Sequence, residues 1–192
     1  MTTTFIFFQN PVNENVALLF SFFCVTVYIT KMGHNMDNCI RRAGVEDLPS
    51  INKLLYEVQN VHSDIRPDLF KPNTKKYNDE QLTAIINDDK TPVFVYESGG
   101  VVLGYVFCIF RQFPQSETMT DIKTLFIDDL CVDESARGLH IGTKLYEFAV
   151  QFAKEHGCYN ISLIAWAGNV NALSFYKSMG MNFQRFVMEK IL

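Results

Sequence analysis

A chain of 192 residues, 48% hydrophobic and 20% charged, has the make-up of one ordinary globular domain, which excludes disordered and fibrous classes. The formal net charge of −4 argues against nucleic acid as a partner, because phosphate backbones select basic surfaces, and makes a cationic small molecule or peptide the easier guest. Cys24, Cys39, Cys108, Cys131 and Cys158 are odd in number and lack C-x-x-C spacing. Neither a disulfide framework nor a metal site is expected, and reduced, buried thiols in a cytoplasmic protein are.

Residues 1–35 stand apart. The stretch VALLFSFFCVTVYIT, Val16 to Thr30, is apolar and uncharged. A membrane-spanning helix needs roughly 20 such residues, and a secretory leader needs a basic start that MTTTFIFFQNPVNEN lacks. Both membrane readings are handicapped, an anchor being the minority one. A self-sufficient pattern begins at MDNCIRRAGVEDL, with Met32 or Met36 as the expected natural start. Residues 1–35 are therefore read as an apolar extension of uncertain status and 36–192 as the functional domain.

From Cys39 the signals alternate. CIRRA reads as a short strand, and Leu48, Ile51, Leu54, Leu55 and Val58 repeat at helical spacing behind an acidic first turn. RPDLFKPN is a loop, since each proline pushes its predecessor toward extended geometry. A second helix is expected over NDEQLTAIIND, capped by Asn78. The period then changes: TPVFVYE, a turn at Ser98–Gly100, and VVLGYVFCIFRQF form a hairpin of β-branched and aromatic residues. KTLFIDDLCVD is another strand, GTKLYEFAVQFAKEHG a helix stopped by Gly157, NISLIAW a strand and NALSFYKSMG a helix. An antiparallel run followed by strands alternating with helices predicts an α+β fold: a mixed, mostly antiparallel central sheet with helices on both faces.

The turn from Arg137 to Thr143 joins a strand to a helix. The first N–H groups of that helix lack intrahelical partners and its dipole adds positive charge, so the place suits a phosphate. Gly138 permits a tight turn, Gly142 removes a side chain from the first helical turn, and Arg137 and Lys144 add charge. GLHIGTK is neither a P-loop, being one residue short between glycines with Thr before Lys, nor a G-x-G-x-x-G dinucleotide fingerprint.

VDESARGLHIGTKLYEFA resembles the acetyl-coenzyme A pyrophosphate loop of the GNAT superfamily of N-acetyltransferases, Q/R-x-x-G-x-G/A, with Arg137, Ile141 and Gly142 on its pattern. AGNVNALSFYKSMGMNF is similar to the superfamily's later N-x-x-A-x-x-x-Y motif, a helix end followed by a strand, with Asn169, Ala172 and Tyr176 in its marked positions. The likeness covers Cys39 to Leu192. It departs at His140, where the pattern has glycine; at a helix start, His140 is expected to use ordinary negative φ.

The resemblance implies acetyl-CoA as cosubstrate, held by Arg137, Gly138, Leu139, His140, Ile141, Gly142 and Thr143 at the diphosphate, by the backbone of Leu130, Cys131 and Val132 along the pantetheine, and by Asn169 and Tyr176. It implies direct attack of a primary amine, small or on a peptide, in a ternary complex. Tyr176 would be the acid for the leaving sulfur and Asp128 the base or amine anchor. Adjacent on a strand, Asp128 and Asp129 are expected to face opposite ways. Tyr56, Asp64 and Arg66, with Asp128, are the candidates for contacting the acceptor. A homodimer is left open. The alternative function is a degenerate module of the same superfamily that binds an acyl-CoA as a sensor or partner-binding domain, His140 being the feature that favours it.

Overall fold

The computed structural model describes residues 38–192, so the reading of the apolar N-terminal stretch lies outside the described residues. In chain order the elements are β1 (Asn38–Arg42), α1 (Leu48–Ile65), α2 (Asp79–Ile86), β2 (Val93–Ser98), β3 (Val101–Arg111), β4 (Thr124–Val132), α3 (Ile141–Glu155), β5 (Asn160–Leu163) and α4 (Val170–Ser178). The strands form one sheet in sequence order, antiparallel from β1 to β4 and parallel between β4 and β5. The mixed, mostly antiparallel sheet read from the sequence is the one observed.

Local chemistry sets the helix boundaries. Asn78 opens α2 as expected: its side chain accepts from the Gln81 N–H while the Gln81 side chain accepts from the Asn78 N–H, satisfying donors that the helix start would leave open. In α1, Ile51, Leu54 and Leu55 fall on one stripe. With Leu82 and Ile86 of α2 they pack against Val93, Val95, Tyr105 and Phe107 on one face of the sheet. On the opposite face Ile141, Leu145, Ala149 and Ala153 of α3 meet Phe94, Val106, Cys108, Leu125 and Ile127. Each large apolar side chain buried this way contributes about 1.5–3 kcal/mol of transfer free energy. The helices thus clamp the sheet from both sides.

Two irregularities of the sheet matter for the site. Phe107 of β3 lies opposite Asp129, but Cys108 lies opposite Ile127, so Asp128 is an extra residue bulged out of β4. A bulge breaks the strict alternation of side chains. Leu125 and Ile127 face the α3 layer and Cys131 the α1 layer, while Asp128 and Asp129 both reach tyrosines of the α1 layer, Tyr77 and Tyr105. The expectation that the aspartates face opposite ways is corrected by this inserted residue. The second irregularity is the parting of β4 and β5: their pairing ends at Ile127 and Leu163, while β4 runs on to Val132. One backbone edge of Asp128–Val132 has no strand partner among the described residues.

β5 is shorter than the NISLIAW pattern because the chain turns away to pack Trp166 edge-on against Phe70, ring centroids 5.2 Å apart. The expected strand after α4 is also absent: the helix ends at Gly180 (φ 82°), and residues 181–192 have no regular structure. No strand among the described residues pairs with that segment. It is attached through side chains instead, Glu189 to the Arg66 guanidinium and Phe183 beneath Lys177.

Gly104 fixes how closely α3 approaches β3. A Cβ there would lie 2.9 Å from the Cys131 carbonyl oxygen, 3.2 Å from Leu145 and 3.3 Å from Ile141, the first residue of α3. Gly104→Ala is expected to cost about 1–3 kcal/mol, read as a lower urea midpoint with unchanged slope. An unchanged midpoint would contradict this packing.

Candidate active site

The loop leaving β4 is rooted at Asp133. Its carboxylate accepts from the Ser135 N–H at 2.9 Å and from the Lys53 ammonium, and its own N–H donates to the Leu103 carbonyl at 2.9 Å. The hydrogen bond from Lys53 and then those from Ser135 hold the Asp133 carboxyl down at about 2. After a single 3-10 turn, Glu134–Ala136, the chain runs extended through Arg137 and turns at Gly138, φ +84°. Leu139 is exposed, and Ile141 is buried at the head of α3.

His140 differs from expectation. It adopts left-handed geometry, φ 58° and ψ 20°, and its side chain makes no cap hydrogen bond. The chain reverses here between exposed Leu139 and buried Ile141. Glycine would do this freely, whereas an L-residue is strained by roughly 1–2 kcal/mol.

This geometry leaves a row of open donors. Arg137 N–H is bonded to the Glu134 carbonyl and Lys144 N–H to that of His140. Between them, the N–H groups of Gly138, Leu139, His140, Ile141, Gly142 and Thr143 have no acceptor among the described residues. With the α3 dipole behind them they are a candidate anion site, and their spread over a turn suits two linked phosphates better than one carboxylate. Arg137 stands at the rim, its guanidinium 3.7 Å from Glu134. Lys144 does not serve the loop: its ammonium lies 3.3 Å from the Tyr96 hydroxyl, toward the sheet.

The open edge of β4 continues from this loop. Leu130 and Val132 pack into the α3 layer, and the Cys131 thiol is buried, 3.6 Å from the Leu54 carbonyl. Burial, with the Asp129 charge next, pushes that thiol well above its ordinary range, so Cys131 is no nucleophile and offers a ligand only its backbone. The edge carries the hydrogen-bonding pattern of a strand awaiting a neighbour, which the amides of a pantetheine arm can supply. Asn169 caps α4, its side-chain oxygen accepting from Ala172 N–H at 3.0 Å; its amide nitrogen has no partner among the described residues and is open to a ligand. Tyr176 packs near Tyr146 and Phe175. Its hydroxyl has no hydrogen-bond partner among the described residues, and burial first, then the charge of Asp129, raises it far above the usual phenol value.

The opposite side of β4 holds a carboxylate pair. Asp128 accepts from the Lys76 ammonium and the Tyr77 hydroxyl, both at 2.7 Å, and Tyr77 is stacked on Phe107. Asp129 accepts from the Tyr105 hydroxyl at 3.0 Å. Asp129 keeps slight solvent access, yet protein atoms crowd it, and that desolvation lifts its carboxyl to about 6 against the pull of Lys76 and Tyr105. Of the expected acceptor contacts, Asp64 lines an open groove of about 250 Å³ with Val61, Ile65 and Gly168–Asn171. Arg66 is engaged by Asp68 and Glu189, and Tyr56 is exposed on α1, with no recorded contact to the aspartates. Lys76, Tyr77, Tyr105 and Asp129 were not legible as site residues; a tyrosine within a strand and a lysine in a polar connection carry no signal until the fold brings them to the bulge.

The site thus consists of a row of unpaired loop amides at a helix start, next to the stretch of β4 that β5 leaves open. The acetyltransferase (GNAT) family model matches residues 58–181, and the chain belongs to that family. It is 28% identical over 148 residues to an uncharacterized N-acetyltransferase of Methanocaldococcus jannaschii, covering 77% of this chain and 62% of that protein's length. A mutant of the BH1408 protein of Bacillus halodurans matches at TM-score 0.77 and 33% identity, over 80% of this chain and 99% of the other. An aminoglycoside N-acetyltransferase in complex with CoA shares the fold at TM-score 0.60 and 15% identity, over 83% and 97% of the two chains. Among the described residues no cluster of metal-ligating side chains occurs and no helix is long and apolar enough to cross a membrane.

The buried carboxylate has a stability signature. The folded value of Asp129, about 6, lies above the unfolded value of about 3.9. The folded state therefore retains the proton more strongly, and the associated stability is present below pH 4 and lost as pH rises through 6. Asp129→Asn, which can still accept from Tyr105, is expected to be more stable than the parent by about 1–3 kcal/mol at pH 7, the gap closing below pH 4. Urea unfolding at both pH values checks this; a variant less stable at pH 7 would contradict it.

Proposed function

We propose that the protein is an acetyl-CoA-dependent N-acetyltransferase that moves an acetyl group to a primary amine, small or on a peptide, by direct attack in a ternary complex. The observation that carries the reading is the row of unpaired amides from Gly138 to Thr143 at the start of α3, following the β4 edge that β5 leaves open beyond Ile127. Family membership and the N-acetyltransferase description of the archaeal relative support it, as does the CoA held by a protein of the same fold. The free thiols at Cys39, Cys108, Cys131 and Cys158 suit a cytoplasmic setting.

When bound, acetyl-CoA supplies an acetyl group activated as a thioester. The loop N–H groups and Arg137 hold the diphosphate. The backbone of Leu130, Cys131 and Val132 pairs with the pantetheine amides as a strand would, and an N–H near Leu130 faces the oxygen on which negative charge develops. Asn169 contributes its amide nitrogen. Tyr176, whose hydroxyl keeps its proton throughout the neutral range, donates to the departing sulfur.

An alkyl amine has a reference pKa of about 10.4 and arrives protonated. Asp128 offers it an anchor in the position now taken by the Lys76 ammonium. Asp64, in the groove it shares with Asn169, is the candidate to contact the remainder of the acceptor, ahead of Tyr56 and Arg66. The amine-bearing substrate class named for the aminoglycoside enzyme is consistent with this carboxylate-lined approach, without selecting among amines.

A second reading, coenzyme binding without turnover, is favoured by one observation, the left-handed His140 in a position where glycine would be unstrained. Thiol release from acetyl-CoA with a panel of primary amines separates the two. Tyr176→Phe is expected to lower turnover by about 10²-fold or more while coenzyme affinity measured by calorimetry stays within twofold (about 0.4 kcal/mol). Unchanged turnover would remove Tyr176 from the acid role, and binding with no turnover of any amine would favour the second reading.

A further inference from the structure

We infer that Lys76 is itself an acceptor: with acetyl-CoA bound, the protein transfers an acetyl group to the Nζ of its own Lys76, which makes that side chain a self-modification site. This assignment rests on the acetyl-transfer reading above.

The Lys76 ammonium stands where an acceptor amine is wanted. Its Nζ lies 2.7 Å from Asp128 Oδ2, and Asp128 directly follows Ile127, the last residue of β4 paired with β5. The amine is therefore seated where the open edge of β4 begins. Along the chain the order is Asp128, Leu130, Val132 and then the loop of open amides from Gly138 to Thr143. A coenzyme whose diphosphate lies on that loop, and whose arm follows the edge, carries its thioester toward Asp128. Leu130 is two residues away, about 7 Å along an extended strand. Rotation of a flexible four-carbon side chain covers such a gap.

Local structure delivers this lysine and not its neighbours. Tyr77 fixes the backbone beside it, with its ring stacked on Phe107 at 6.1 Å between centroids and its hydroxyl bonded to the same Asp128 oxygen at 2.7 Å. Asn78 caps α2 immediately afterwards. Lys75 is engaged elsewhere, its ammonium bonded to Asn52 and Asp79. Lys53 is held by Asp133, and Lys144 lies by the Tyr96 hydroxyl. Among the described residues, Lys76 is the lysine whose ammonium is ion-paired with a residue of β4. Its side chain is nonetheless 42% exposed, and an exposed pair holds its partners weakly. The ammonium can leave the carboxylate and turn to a thioester, and its tether keeps it at high effective concentration.

In the balanced step one Nζ proton passes to the Asp128 carboxylate and from there to water. The nitrogen lone pair forms the N–C bond, and the C–S bond breaks with its electron pair on sulfur, which takes the Tyr176 proton. A second Nζ proton restores the Tyr176 hydroxyl, and the third stays as the amide N–H. Lysine ammonium and acetyl-CoA thus give acetyl-lysine, the free coenzyme A thiol and one proton. The acetylated side chain is uncharged, so Asp128 loses its resident cation and stands open to another amine.

The test incubates the full chain with saturating acetyl-CoA and no added amine, and locates acetyl groups by intact-protein mass and peptide mapping. Wild type is expected to gain one acetyl group, on Lys76, with a rate constant that dilution of the protein leaves unchanged. Lys76→Arg, which keeps the charge, gains none. Asp128→Asn slows modification of Lys76 by about tenfold or more, while slow chemical acylation of exposed lysines such as Lys71 and Lys154 is the same in all three proteins. A second readout needs no coenzyme: the side-chain NMR signals of Lys76 should shift in Asp128→Asn, as they must if the pair forms in solution. The assignment is overturned by acetylation of Lys76 no faster than of Lys71, by Asp128→Asn modified as fast as wild type, by a rate constant that rises with protein concentration, or by Lys76 signals indifferent to Asp128→Asn. Parallel reactions with the amine panel separate the two readings. Thiol release with an added amine while Lys76 stays unmodified defeats self-acetylation and leaves acetyl transfer standing, whereas no transfer to Lys76 or to any amine defeats both.

Discussion

Backbone groups left without partners are the constraint around which the domain is arranged. A peptide N–H or carbonyl removed from water without a partner costs about 1–3 kcal/mol, so folded chains pair nearly all of them. Here a continuous set remains open: the edge of β4 beyond Ile127, where β5 parts from it, and the loop amides from Gly138 to Thr143. They stay open because other parts of the fold hold their neighbours rigidly. Asp133 ties the loop root to Lys53, Ser135 and Leu103. Gly104 lets Ile141 and Leu145 seat α3 closely against β3. The left-handed turn at His140 aims the start of that helix. The strain stored there is consistent with a loop whose shape serves a ligand rather than its own stability.

The bulge at Asp128 is the second organising feature. Without it, the pleat would send one aspartate to each face of the sheet, and each would be an ordinary strand carboxylate. The inserted residue turns both toward α1 and the α1–α2 connection, where the charges of two acids are managed by Lys76, Tyr77 and Tyr105. Crowding two carboxylates beside aromatic rings is unfavourable for folding, which is the trade expected where function needs a carboxyl moved out of its usual range. Tyr176, approaching from α4, is influenced by the same charge. The charge of Asp129 thus also bears on the hydroxyl proposed as the acid.

Much of the fold was legible because its signals are local. The stripe of Ile51, Leu54 and Leu55, the capping pattern at Asn78 and the aromatic, β-branched hairpin each declare an element from a few neighbouring residues, and each element is present. The turn after Arg137, with open amides at the start of a helix, was legible from its glycines and its place before α3. The left-handed backbone at His140 was not, because a helix start ordinarily needs no positive φ, and only the burial of Ile141 beside exposed Leu139 forces the reversal. The pairing of Asp128 with Lys76 and of Asp129 with Tyr105 was also hidden. Strand alternation predicts opposite faces, and nothing in IDDLCV announces an extra residue in its register with β3. The strand expected after Gly180 failed because a strand requires a partner edge, which the local pattern of MNFQRFVMEKIL cannot reveal.

The account depends most on the loop amides binding a diphosphate, and amide-resolved NMR tests that directly. Titration of ¹⁵N-labelled protein with coenzyme A should give saturable shifts centred on Gly138, Leu139, His140, Ile141, Gly142 and Thr143, with smaller ones at Leu130, Cys131 and Val132 along the open edge of β4. Shifts clustered elsewhere, or none at millimolar coenzyme, would contradict it.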